Sequence, residues 1–293
     1  MGAFTSCPLA FRFSYVQRLP EPPSAPASKG TLVHRALERL LDRPADERTI
    51  DAALFDLHQA ADELAAHPEF SGLDLSDEEL MRFRTDAESL VRRYFEIEDP
   101  RTVRPIGLEI KLAANVGKAT VRGIIDRLEL DDNGDFVITD YKTGSTPSER
   151  WEEKSLAGVH IYALLCEQNF GKRPVKVQLM YLSKPELIIA TPTEGSLRSV
   201  ASKSNAVMDA VKRACERDDF RPNESVLCNF CSFKEFCPKF GGDPESAVVV
   251  LRDRAETAAG RPPLPFNDTA SPASEASHQP EISLNDAPLA TSA

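Results

Sequence analysis

Three ionisable residues, Asp126, Asp140 and Lys142, fall in strand-like runs at positions that alternation reserves for core side chains. Successive side chains of a strand point to opposite faces, so a half-buried strand has one apolar and one polar phase. In 120–130 (TVRGIIDRLEL) the apolar phase reads Ile124, Leu128 and Leu130, and Asp126 falls within it; Arg127 and Glu129 occupy the other phase. In 136–143 (FVITDYKT) one phase reads Phe136, Ile138, Asp140 and Lys142. Two neighbouring strands thus put two carboxylates and an ammonium where stability alone would favour Val or Ile. An unpaired buried charge is costly, so such groups must pair, lose their charge or bind an ion. A buried Asp–Lys bridge accounts for two of them. The second acid exceeds what that bridge needs, and a hard divalent cation suits the set.

The turn Asp131-Asp132-Asn133-Gly134 joins these runs, which form an antiparallel meander with 104–114 (RPIGLEIKLAA). Upstream, Pro20, Pro22, Pro23 and Pro26 keep the chain out of helix. Ser28 then caps a helix carrying Val33, Ala36, Leu37, Leu40 and Leu41 at helical spacing. Ser76-Asp77-Glu78-Glu79 reads as a capping box before Leu80, Phe83, Ala87, Leu90 and Tyr94, making 51–97 mostly helical. After the meander come an amphipathic helix through Leu156, Ile161, Leu164 and Leu165, a strand at 174–183, another near Leu187–Ala190, and a helix around 196–216. This order predicts the α/β class, a mixed sheet flanked by helices. Pro, Ala, Ser, Thr and acids dominate from Gly241 onward. The expected organisation is one domain over 1–240 with a helical insertion at about 45–100, followed by a disordered tail over 241–293.

A chain of 293 residues supports one large core. No apolar run is long enough for a bilayer, and the start lacks the basic and apolar regions of a secretory signal, so the expected location is the cytoplasm, with no membrane partner. A net charge of −11 excludes a protein that coats nucleic acid non-specifically, but not one with a local basic groove, because the acids concentrate in 51–99 and after Gly241. In a reducing compartment the six cysteines are thiolate ligands sooner than disulfides. Cys228, Cys231 and Cys237 lie in one short span, one thiol short of a tetrahedral set. Cys166 and Cys215 sit in apolar helical patterns and read as core, which leaves Cys7 as the fourth candidate. Four such thiolates suit a structural zinc or an iron–sulfur cluster. No Walker A sequence is present, so ATP-driven unwinding would need a separate helicase chain.

Gly123-Ile124-Ile125-Asp126-Arg127, followed by Ile138-Thr139-Asp140-Tyr141-Lys142-Thr143-Gly144, resembles the GxxDR and D-Y-K-T-G motifs of RecB-like PD-(D/E)xK nucleases. Gly30-Thr31-Leu32-Val33-His34 resembles the GxxxH helix of the same family, and the match runs from Cys7 to Cys237. The resemblance implies a restriction-endonuclease-like core and an Mg²⁺- or Mn²⁺-dependent exonuclease acting on single-stranded DNA or duplex ends in repair or recombination. By position it implies Asp126 and Asp140 as metal ligands, His34 and the Tyr141 carbonyl completing the coordination, and Lys142 as catalytic. A cation held by two carboxylates activates water, and a lysine two residues beyond a ligand shares its face and can stabilise developing charge. Taken alone, His34 at the edge of an apolar stripe reads as a capped core histidine. Glu109 matches the acid of the preceding strand but lies with Lys111 on the polar phase, opposite Leu108, Ile110 and Leu112. The family's Q-x-x-x-Y motif survives here as Tyr162, with Gly158 in the glutamine position and His160 between. That departure keeps open a second reading, a catalytically weak DNA-binding or scaffold module acting with a helicase or repair partner. The cysteine spacing resembles the family's iron–sulfur subgroup and implies a 4Fe-4S cluster on Cys7, Cys228, Cys231 and Cys237, in preference to Zn²⁺.

Overall fold

A computed structural model describes residues 2–65, 67–146 and 149–251, with the side chains of 68–69 and 149–157 outside that description. The expected tail beyond Leu251 and the side chain of Leu156 therefore lie outside the described residues. Two short helices, α1 (Gly2–Ser6) and α2 (Pro8–Phe11), run into a π turn at Arg12–Val16. Then follow α3 (Ala25–Asp42), α4 (Ile50–Ala65), α5 (Pro68–Ser71) and α6 (Asp77–Ile97). The meander is β1 (Pro105–Val116), β2 (Ala119–Leu130) and β3 (Phe136–Lys142), and the chain continues through α7 (Glu149–Phe170), β4 (Lys176–Tyr181), β5 (Glu186–Ala190) and α8 (Glu194–Arg217).

The five strands form one mixed sheet in the order β1-β2-β3-β4-β5. β3 and β4 are the parallel pair, because α7 carries the chain back across the sheet before β4 begins. The α/β expectation and the strand order hold. α3 starts earlier than expected: Ser24, not Ser28, precedes it, and Pro26 sits in the first turn, where a missing N–H costs nothing. At α6 the capping box is complete, with the Ser76 N–H donating to Glu79 Oε2 at 3.0 Å and the Glu79 N–H donating to Ser76 Oγ at 3.4 Å.

Helices cover both faces of the sheet. α3, α4 and α6 bury Leu37, Leu57, Phe83 and Val91 together with Tyr141, Met180 and Leu182 of the sheet and its margin. On the other face, α7 and α8 bury Leu165, Cys166 and Val200 against Leu128, Ile138 and Leu179. The helices of the expected insertion at about 45–100 share one core layer with α3, and their apolar stripes help cover one sheet face. Among the described residues no helix is long and apolar enough to cross a membrane.

A third cluster joins the two ends of the described chain: Leu9, Phe13 and Leu19 pack with Phe233, Phe236, Ala247 and Leu251. This moves the expected domain boundary at 240. Residues 246–251 are helical, and Ala247 and Leu251 retain 0% and 6% exposure. The run Val248–Leu251 is short, but it has the apolar content to close that cluster. A chain ending at Gly242 should therefore be less stable than one ending at Leu251 by about 2–5 kcal/mol, read as a lower denaturation midpoint; equal midpoints would remove 243–251 from the core.

Candidate active site

The site lies where two strands part. β2 and β3 pair from Leu130↔Phe136 to Arg127↔Thr139, and the ladder stops one step before Asp126 and Asp140 would face each other. The Tyr141 N–H instead donates to Asp126 Oδ2 at 2.7 Å. β1 and β2 also break their pleat at this level. Residues two apart in a regular strand share a face, yet Leu108 packs with the α3/α4/α6 layer and Ile110 with the α7/α8 layer. Between them Glu109 has a φ of +48°, a conformation uncommon outside glycine. On β2, Ile125 packs with the α7/α8 layer, while Arg127 turns to Glu98 at the end of α6. The break corrects the simple phase reading: Ile124 is 39% exposed and Ile125 only 1%. It also corrects the placement of Glu109, which the polar phase had set apart from the other acids.

α3 brings in His34. Gly30, one turn earlier, lies against Thr143, where an added Cβ would come within 3.3 Å of Thr143 Oγ1, so glycine lets the helix approach the end of β3 closely. His34 Nε2 bonds the Tyr141 carbonyl at 3.1 Å, while Nδ1 lies 3.5 Å from Asp126 Oδ2 and 3.8 Å from Glu109 Oε1. Among the described residues, His34, Glu109 and Asp126 are the group whose ligand atoms come within 4.8 Å of one another. Burial works to lower the His34 pKa, but the nearby Glu109 carboxylate and the charges of Asp126 and Asp140 outweigh it and leave it raised. Burial also drives Asp126 upward, aided by Asp140 and Glu109 and opposed by His34 and the Tyr141 N–H, to about 7. Two carboxylates and an imidazole within reach of one another, one of the acids pushed up by burial, form a donor set that fits a divalent cation.

Asp140 and Lys142 stand just outside that group. Asp140 is buried and ion-paired with the Lys142 ammonium. Tyr162, on α7, borders the same acid: burial first, then the charges of Asp140 and Asp126 and a hydrogen bond with Asp140, push its phenol upward. The sequence-expected set of His34, Asp126, Asp140, Tyr141 and Lys142 thus converges on the fork, with Glu109 inside it and Tyr162 at its edge. Arg127 carries no expected role beyond its motif, yet it is fully buried, with 0% exposure. Its guanidinium bonds Glu98, Glu129, Thr139 Oγ1 and the Tyr141 hydroxyl. Gly158 and His160 are not drawn in: Gly158 is exposed, with nothing within 4 Å of an added Cβ. A cavity of about 570 Å³ opens beside the fork, between α3 and the start of β1, bordered by Arg35, Arg39 and Leu108.

The cysteines divide differently from expectation in one respect. Cys166 is buried, but Cys215 is exposed, because it falls off the buried stripe of α8. Cys7, Cys231 and Cys237 flank the cluster that joins the chain ends. Burial raises the Cys231 thiol, and Cys7, Cys228 and Cys237 act on it electrostatically in the same direction. The four sulfurs do not close to the 4.8 Å mutual spacing of a single-ion site.

The protein is a mixed-sheet α/β protein with carboxylates, a histidine and a lysine gathered at a strand fork. It belongs to the PD-(D/E)XK nuclease superfamily, whose family model matches residues 2–238. The fold is similar to the crystal structure of an inferred exonuclease from Eubacterium rectale, at a TM-score of 0.50 and 15% identity over 77% of this chain and 80% of that one. An uncharacterized protein from Rickettsia typhi is 28% identical over 133 residues, 44% of this chain; the chain spans about 15% of that relative's length.

Asp126 and His34 both hold protons more tightly in the folded protein than in the unfolded chain. Their contribution to stability is complete at low pH and is lost as pH rises toward and through their folded pKa values. The metal-free protein should therefore weaken from about pH 5 to about pH 8, and Mn²⁺ should reverse this by displacing the protons. Asp126→Asn should melt higher than the parent at about pH 8 without metal and should lose the Mn²⁺-induced rise. A flat pH profile with intact Mn²⁺ stabilisation in the variant would contradict the assignment.

Proposed function

We propose that this chain is a metal-dependent DNA exonuclease that hydrolyses phosphodiester bonds in repair or recombination, with Mg²⁺ or Mn²⁺ as its cation. The observation that carries the reading is the gathering of His34, Glu109 and Asp126 at the fork, with the Asp140–Lys142 pair beside them. His34, Asp126, Asp140 and the Tyr141 carbonyl would hold the cation, with Glu109 as a further carboxylate. When bound, the cation supplies an activated water and offsets charge on the phosphoryl oxygens. Lys142 orients the attacking water or stabilises the developing charge, and Tyr162 positions Asp140. DNA ends, single-stranded or duplex, are the proposed substrate, with unwinding left to a separate helicase. The exposed Gly158, where the resembling motif has glutamine, supports the second reading of a catalytically weak DNA-binding or scaffold module.

End-labelled single- and double-stranded DNA, with and without Mg²⁺, separates the two readings. The parent should release nucleotides only with metal, and Asp140→Ala and Lys142→Ala should each lose on the order of a hundred-fold or more in rate in protein that still folds, as read by circular dichroism. DNA binding without metal-dependent cleavage by the parent would favour the second reading.

We further propose that Cys7, Cys228, Cys231 and Cys237 hold a 4Fe-4S cluster. What supports this reading is the spacing of the cysteines and the packing of Cys7, Cys231 and Cys237 against one apolar cluster. Anaerobically purified protein should be brown, with iron and acid-labile sulfide near four per chain, and Cys7→Ser should lose the colour as fully as Cys231→Ser. Stoichiometric zinc in colourless protein would replace the cluster with the zinc alternative.

A further inference from the structure

Glu109 and Asp126 stand at the base of the hairpin formed by β1 and β2, and residues 110–125 between them hold three basic side chains and no acidic one. This is unusual in a chain with 46 acidic and 35 basic residues. One face of the hairpin is covered: Leu112, Val116, Val121 and Ile125 pack with the α7/α8 layer. The other is bare, with Lys111, Ala113, Asn115, Thr120, Arg122 and Ile124 all exposed. Lys111 lies opposite Ile124, and Ala113 opposite Arg122. Followed down the two strands, this bare face ends where the pleat breaks, next to Glu109 and Asp126.

We propose that this face is the track along which a nucleic-acid strand reaches the fork, with Lys111, Arg122 and, at the turn, Lys118 pairing its phosphates. The inference rests on the nuclease reading above and names the surface that would present the substrate. At about 3.3 Å per residue, Lys111 is roughly 7 Å and Arg122 roughly 13 Å along the hairpin from the acids at its base. A DNA strand rises about 3.4 Å per nucleotide, so the two cations fall about two and four nucleotides from the reacting bond.

None of the three side chains has an ion-pair partner among the described residues, in contrast to Arg35 and Arg39 at the neighbouring cavity, which pair with Glu38 and Glu63. The track is also held in place. The Lys118 N–H donates to Asn205 Oδ1 of α8 at 3.2 Å, and Gly117, at a φ of +64°, lies so close to Asn205 that an added Cβ would collide with it. Charges on an edge strand can also guard against edge-to-edge pairing. That accounts for Lys111 on β1, but not for Arg122, which is on the interior strand β2.

The test is Lys111→Glu/Lys118→Glu/Arg122→Glu in the full chain, with the triple Gln variant beside it and thermal melting as the check on folding. Three readouts are compared: Mn²⁺ binding by calorimetry, binding of end-labelled single-stranded and duplex DNA across a salt series, and cleavage of the same DNA. The variants should bind Mn²⁺ as the parent does, bind DNA more weakly by on the order of ten-fold or more, and lower the dependence of log K on log salt by about 2–3. Any loss of cleavage should appear in KM ahead of kcat. Unchanged DNA affinity and salt slope in folded variants would overturn the track while leaving the nuclease reading intact. A parent that binds DNA through these residues but does not cleave it would overturn the nuclease reading and keep the track. A parent that neither binds nor cleaves DNA would overturn both. If the Glu variant fails to fold, the Gln variant, which only neutralises, decides by the same readouts.

Discussion

The buried guanidinium of Arg127 is the contact on which the geometry of the fork depends. Removing such a cation from water costs several kcal/mol unless nearly every donor is answered. Here the answering groups come from three places: Glu98 at the end of α6, Glu129 on β2 itself, and Thr139 with the Tyr141 hydroxyl on β3. Gln178 on β4 extends the network by donating to Thr139 Oγ1 at 2.8 Å. Satisfying Arg127 therefore fixes the Tyr141 ring, and with it the Tyr141 backbone, whose N–H holds Asp126 and whose carbonyl meets His34. Tyr94 of α6 packs edge-on against the same ring at 6.0 Å. Arg127 bonds neither Asp126 nor His34, and its role is to set the peptide that aligns the two.

The fork follows from a conflict between pairing and electrostatics. Had the β2–β3 ladder continued one more step, Asp126 and Asp140 would have faced each other across the narrow spacing of an antiparallel pair, two carboxylates in a half-dry environment. Parting the strands lets each acid find different company. Asp126 takes a backbone N–H and the imidazole, and Asp140 takes the Lys142 ammonium. The positive φ at Glu109 is the matching strain on the other side of β2, and it turns a third carboxylate toward His34. Strain of this kind persists where the surroundings over-determine it, and such positions cluster at functional sites. Within the resulting pocket Asp126 and His34 both hold their protons more tightly than they would in water.

Much of this was legible in the sequence. Charges at core phases located Asp126, Asp140 and Lys142, the meander and the flanking helices followed from periodicity, and the order of elements implied the mixed sheet. What escaped were the places where a strand departs from its pleat. Alternation assumes one face per phase along a whole strand, so it put Ile124 in the core in place of Ile125 and set Glu109 among the solvent-facing residues. A residue in the left-handed region leaves no mark on composition, and a glutamate there has none of the signature a glycine would carry. Arg127 escaped for a related reason, because a charged residue on a polar phase reads as surface until a second helical layer is known to cover it. Periodicity alone does not say which sheet face α3, α4 and α6 cover, so their cover over Arg127 has no mark in the sequence. At the chain ends the composition shift from Gly241 onward hid Ala247 and Leu251, since one helical turn is too short to show a period.

The acidity of the chain and the proposed nucleic-acid substrate are reconciled by where the charges stand. A net charge of −11 sets a repulsive field at long range, but beyond the Debye length of about 8–10 Å that field is screened in physiological salt, and a phosphate near the surface responds to the few charges next to it. At the fork those are carboxylates, which a divalent cation would neutralise; along the bare hairpin they are Lys111 and Arg122, with no acid between them and the base of the strands. Several basic residues elsewhere are engaged with acids, as Lys29 is with Asp86 and Arg43 with Asp56. Such a protein would hold nucleic acid weakly over most of its surface and strongly only where the track meets the site. On the proposed nuclease reading, that distribution suits an enzyme that must release its product and move on more than it suits one that coats a strand.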